Sequence, residues 1–214
     1  ATIFLGALLL FEVEPLIAKM ILPWFGGSAA VWIACLLFFQ TALLAGYLYA
    51  HVVATRLSPL WQARLHTGLL IASLVFLPIV PSAYWRPTGT ENPLPLILGL
   101  LTGTIGLPFI LLSSTTPLVQ AWIAGHEATS GRIYRLYALS NLGSMLALLS
   151  YPTLVEPLLP THWQAQTWSG LYVAFAVLCM NVAWRFGRHA VVTATADNGG
   201  EPSPSGIDRV LWVV

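Results

Sequence analysis

Apolar stretches long enough to cross a lipid bilayer follow one another along this chain, and their succession constrains its fold more than any motif does. A membrane-crossing helix needs about 20 mostly apolar residues. About six stretches qualify, at 2–22, 30–55, 65–81, 94–124, 134–154 and 168–184. Only 8% of the residues are charged, against roughly 25% in a soluble domain. The expected fold is therefore all-α: a polytopic transmembrane helix bundle of about six spans, a transporter-like half, with the start of a seventh. The nine Lys and Arg residues are scattered and the net charge is +1, so the basic patch that nucleic acid requires is missing.

Charge placement gives an orientation. Arg56 and Arg64 fall in the second loop, Arg132 and Arg135 in the fourth, and Arg185 and Arg188 after the sixth stretch, whereas the alternate loops carry Arg86 alone. Lys and Arg accumulate in cytoplasmic loops, which predicts a cytoplasmic amino terminus. Trp24, Tyr84, Trp85, Trp163 and Trp168 then fall on the far side as an interfacial belt. The organisation expected is a bundle over 1–190, a flexible cytoplasmic linker rich in Gly, Pro and Ser over 191–207, and the beginning of a further membrane helix over 208–214. An apolar run that stops at Val214 and a first residue that is Ala rather than Met predict a piece of a longer protein. No basic region precedes the first apolar stretch, so no cleavable signal is expected.

Small residues allow helix backbones to approach where lipid removes any hydrophobic drive between helices. Ala42, Gly46 and Ala50, then Gly99 and Gly103, then Ser140 and Ser144 recur at four-residue spacing and predict packing faces. Pro108 and Pro117 predict a kink or break in the fourth stretch.

The segment FEVEPLIAKM, Phe11 to Met20, sets Glu12, Glu14 and Lys19 in the first stretch. A charge at the bilayer centre costs about 2.5 to 3.5 kcal/mol on the gentler insertion scale, so these groups must face protein, water or one another. On a regular helix Glu12 and Lys19 share a face and Glu14 points almost the opposite way. Pro15 is expected to loosen the helix near Phe11, and broken helices at the midplane are where transporters hold substrate and ions. Assembly through an ion pair is the competing role.

A second polar cluster, SSTTPLVQ, contains Ser114 and Thr115 just before Pro117. These hydroxyls can bond helix carbonyls or line a polar cavity. Tyr137, Asn141 and Ser144 share a helical face, and Asn141 needs a partner in hydrocarbon, either a neighbouring helix or a solute. Glu156, between Pro152 and Pro157, reads as a loop residue with its carboxylate in water. His51, His66, His126, His162 and His189 fall near stretch ends at unmatched depths, so no haem is expected. Cys35 and Cys179 read as buried small hydrophobes, with neither metal nor disulfide. No nucleotide, zinc-hydrolase or serine-hydrolase motif is present, and no cofactor is expected.

The segments EPLIAKMILPWFGGSAAVW, GYLYAH, IGLPFILLSSTTPLVQAW and YRLYALSNLGSMLALLSYPTLVEP resemble the amino-terminal membrane region of the bacterial fused MFS transporter/spermidine synthases, over about residues 5–184. The resemblance implies a bacterial inner-membrane location and a soluble aminopropyltransferase-like domain outside these residues. It therefore implies no catalytic residue within them. The loop TRLSPLWQARLH lacks the Gly, Asp and Arg-rich signature of ordinary major-facilitator proteins. Together these readings predict a domain handling protons or a small cationic solute such as a polyamine. Glu12 and Glu14 would be the binding acids, Lys19 would tune them, and Ser114, Thr115, Tyr137 and Asn141 would line the path. A non-transporting anchor for the enzyme domain and an accessory subunit of a larger membrane complex are the alternatives.

Overall fold

The structure is a computed structural model. It describes residues 1–89, 92–124 and 130–197, without the side chains of 124, 130–133 and 189–197. His126 and the stretch 208–214 lie outside the described residues.

Helix α1 runs over Thr2–Phe25 and α2 over Ala29–Arg56. Helix α3 spans Pro59–Ser73, with Pro59 in the first turn, where its missing N–H is harmless. Short 3₁₀ turns follow at Leu74–Phe76 and Ala83–Trp85. Asn92 caps α4, Pro93–Leu101, by accepting from Leu94 N at 3.0 Å. A π-helical turn, Thr102–Gly106, joins α4 to α5, Leu107–Ala124. Helix α6, Ser130–Ser150, passes through a second π-helical turn, Tyr151–Val155, into the short α7, Glu156–Leu158. Helix α8 extends over Thr161–Asp197. It is helical into the stretch expected as linker; 198–207 lies outside the described residues.

Among the described residues four helical bodies are long and apolar enough to cross a membrane: Ala29–Arg56, Pro93–Ile123, Tyr134–Leu158 and Thr161–Arg188. The expected count of about six is not reached, for two physical reasons. Any bilayer-length piece of α1 contains Glu12, Glu14 and Lys19 together. Helix α3 rises only about 22 Å at 1.5 Å per residue, short of the roughly 30 Å hydrocarbon core.

The helices associate as three main pairs, α1 with α6, α2 with α5, and α3 with α8, while α1 also packs on α8 and α5. Helix α1 is thus the shared inner element. Its Leu9, Val13, Ile17 and Ile21, spaced by four, are all fully buried, in one cluster with Phe109, Tyr172 and Phe175. A second cluster, with Ile3, Ala50, Ala63, Leu118, Trp122 and Ala183, closes the end of the bundle where α1 begins.

Close backbone approach explains the pairing. Ala42, Gly46 and Ala50 are buried, and a Cβ on Gly46 would collide with Ser113 Oγ and lie 2.8 Å from the Ile110 carbonyl. Helix α6 meets α1 at Gly143, where a Cβ would sit 2.6 Å from the Phe4 carbonyl. The expected Ser140 and Ser144 contact is thus centred on the glycine between them. Gly99 approaches the Trp85 ring, a loop side chain rather than a helix.

Pro15 does not break α1, which is helical across both Pro15 and Pro23. The irregularities lie elsewhere, and they follow one rule. Each π-helical turn ends two residues before a proline, Gly106 before Pro108 and Val155 before Pro157. A proline lacks the amide that its i−4 carbonyl would receive and its ring presses on that carbonyl. The carbonyls concerned belong to Thr104 and Thr153, at the centre of each turn. Widening the turn relieves the pressure, and such turns recur at functional sites.

Candidate functional site

One face of α1 carries Glu12, Leu16, Lys19 and Pro23, since residues four, seven and eleven apart lie nearly in line on a helix. Two cavities open along that face. The inner one, about 90 Å³, is lined by Glu12 and Leu16 of α1, Tyr151 and Val155 of the π-helical turn, and Gln164, Thr167 and Trp168 of α8, among others. The outer one, about 540 Å³, is lined by Lys19, Met20, Pro23 and Trp24, together with Val80, Pro81, Thr161 and His162. Glu12 lies about 15 Å along α1 from Thr2, close to mid-membrane for a crossing helix.

Between the cavities stands an ion pair. Lys19 Nζ donates to Glu156 Oε2 at 2.7 Å, and both side chains are about one third or more exposed, at 33% and 41%. This corrects two expectations. Glu156 is not a solvated loop acid, because α7 carries it back onto α1. Lys19 does not pair with Glu12 or Glu14. Among the described residues no hydrogen bond or salt bridge engages either acid.

The inner cavity is framed by hydrogen bonds among several of its neighbours. Tyr151 Oη donates to Gln164 Oε1 at 3.3 Å, and Gln164 Nε2 donates to the Leu159 carbonyl at 2.7 Å and the Val155 carbonyl at 3.3 Å. Gln164 therefore holds the end of the π-helical turn against α8. Trp168 Nε1 donates to the Leu9 carbonyl at 3.0 Å, which fixes α8 to α1 one turn below Glu12. Trp168 is buried and stacked on Tyr172, not part of an interfacial belt. At the far end of α1 the Arg86 guanidinium lies 4.9 Å from the Trp24 ring.

The other predicted site residues do not converge on Glu12. Glu14 lies on the side of α1 that carries Ala7, whose Cβ is a near neighbour of Gly143 on α6. Ser114 and Thr115 are buried, and both donate to the Leu111 carbonyl, at 2.9 and 2.8 Å. Ser113 likewise donates to the Ile110 carbonyl at 3.0 Å. Their hydroxyls are engaged with carbonyls of α5. Tyr137 and Asn141 face outward from α6, Tyr137 with 51% of its surface exposed.

Sequence reasoning missed a buried cluster between α2, α3 and α8. His66 is fully buried, with Nδ1 3.1 Å from Tyr49 Oη and Nε2 3.4 Å from Cys179 Sγ. Gln62 accepts from Trp122 Nε1 at 2.7 Å beside it. Cys35 and Cys179 are both buried. Among the described residues no three His, Cys, Asp or Glu side chains gather as metal ligands.

No protein-family model, curated protein or solved structure matches this chain.

Proposed function

We propose that this chain is a transporter-like membrane domain in which Glu12 binds a proton or a small cationic group that arrives from the Trp24 end of α1. The observation that carries this reading is the alignment of the outer cavity, the Lys19–Glu156 pair and the Glu12 cavity along one face of one helix. An unpaired carboxylate in a low-dielectric site attracts a cation strongly. The cavity, about 90 Å³, has room for water beside the carboxylate, so a hydrated proton or one ammonium terminus fits there.

In this reading α1 crosses the bilayer as an inner helix, its charges turned to protein and cavity, and α3 lies in the same layer against α8. The arginine-bearing end is cytoplasmic, as the loop charges imply. Membership of the fused MFS transporter/spermidine synthases rests on the quoted segments and is part of the same proposal.

The test is uptake by proteoliposomes under an imposed proton gradient, using a labelled polyamine and, separately, an internal pH dye. Wild type is expected to take up one or the other, and Glu12→Gln to lower the rate at least tenfold while the protein still extracts as a folded species. Absence of uptake by wild type, with Glu12→Gln affecting only thermal stability, would move the weight to the anchor or accessory-subunit reading.

A further inference from the structure

We infer that the outward face of α8 binds the phosphate-bearing headgroup of an anionic phospholipid. Val177, Met180, Asn181, Trp184, Arg185 and Arg188 line an open surface hollow of about 480 Å³ along α8. Their spacing of three and four places them in a single stripe on the helix. The opposite stripe is committed to packing: Ala176, Cys179 and Ala183 are buried, and a Cβ on Gly187 would meet Ala63 at 3.2 Å.

The stripe changes character along its length as a phospholipid does. Val177 and Met180 are apolar and lie deepest; Asn181 and Trp184 follow; the two guanidinium groups come last. From Val177 to Arg188 the helix rises about 16 Å, enough to span a headgroup and the upper part of an acyl chain. Trp at this level is the usual interfacial anchor, and two Arg residues three apart present forked donors that match phosphate oxygens.

Charge at this end supports the assignment. Among the described residues no acidic side chain lines the cavity, and the one salt bridge, Lys19–Glu156, is near the other end. Gly187 packs on Ala63 and the Pro59 carbonyl, so α8 brings Arg185 and Arg188 to the same end as Arg56 and Arg64. Basic pockets at the membrane surface on that side are typical sites for anionic headgroups. Lipid, rather than a soluble anion, is the source because the cavity continues downward onto the apolar side chains.

The experiment uses the whole chain in nanodiscs of zwitterionic lipid containing a few per cent of brominated phosphatidylglycerol or, in parallel, brominated phosphatidylcholine. Bromine quenches nearby tryptophan, and the part of the quenching lost in Trp184→Phe reports this site. The Trp184 signal is expected to be quenched at severalfold lower mole fraction by the anionic lipid. Arg185→Gln with Arg188→Gln should erase that preference, a shift on the order of tenfold, while the double Lys variant keeps part of it. Equal quenching by both lipids, or a preference untouched by the double Gln variant, would overturn the inference. Loss of the preference in inorganic phosphate, but not in chloride of equal ionic strength, would reassign the site to a free anion and also overturn the lipid assignment.

Discussion

At the residue scale, single small groups decide where helices meet. Gly46 permits α2 to lie against Ser113 and the Ile110 carbonyl. Because one of the obstructing atoms is backbone, Gly46→Ala cannot be absorbed by rotating a side chain, and overpacking of this kind costs roughly 1–3 kcal/mol. We expect a lower thermal transition for Gly46→Ala in detergent, whereas Gly170→Ala, with open space around it, should leave it unchanged. The Ala42, Gly46 and Ala50 stripe was legible in sequence because its spacing repeats. The Gly143 contact was not, since a lone glycine in a helix carries no period. Glu156 was misplaced for another reason: its partner Lys19 is 137 positions away, and only the fold makes them neighbours. Tyr151 and Gln164 escaped notice for the same cause, although a glutamine just after a helix start is a frequent holder of loose carbonyls.

At the element scale, prolines act through the turn before them. Pro15 and Pro23 sit within a continuous α1, but Pro108 and Pro157 each come just after a π-helical turn. The sequence marks every proline alike, so it could announce an irregular fourth span but not which proline would produce the irregularity or that the chain would widen rather than break. Widening has a consequence at Glu156, because the extra residue in the turn rotates α7 about the helix axis. Pro157→Ala restores an amide to the Thr153 carbonyl. The turn should tighten to regular α-helix and swing Glu156 away from Lys19. A coupling of up to about 1 kcal/mol is reasonable for so exposed a pair. We therefore expect a double-mutant cycle between Lys19→Met and Glu156→Gln to show coupling in the wild-type background and none in Pro157→Ala. Unchanged coupling in that background would contradict this account of the turn.

At the scale of the whole molecule, the all-helical, membrane-embedded class was plain in the sequence, because runs of apolar residues need no partner to be recognised. The number of bilayer-length apolar helices was not equally plain. Helix α1 has the length but holds three charges, and α3 is too short. Three neighbours share α1, and its placement separates Glu12, beside a cavity, from Tyr137 and Asn141 on the outer surface of α6. The polar run in α5 allowed either a path or a bonding role in sequence, and Ser114 and Thr115 both donate to the Leu111 carbonyl. The central claim is that Glu12 is reached from the Trp24 end. Its most direct test is the labelling of Glu12→Cys by a small membrane-impermeant thiol reagent applied to one side of sealed vesicles, with Cys35 and Cys179 replaced by Ala. Ser82→Cys and Ser58→Cys, both at exposed positions, mark the two sides. The account predicts that Glu12→Cys reacts from the side that labels Ser82→Cys, and several times faster when Lys19→Met opens the ion pair. Reaction only from the side that labels Ser58→Cys, or from neither side, would contradict it.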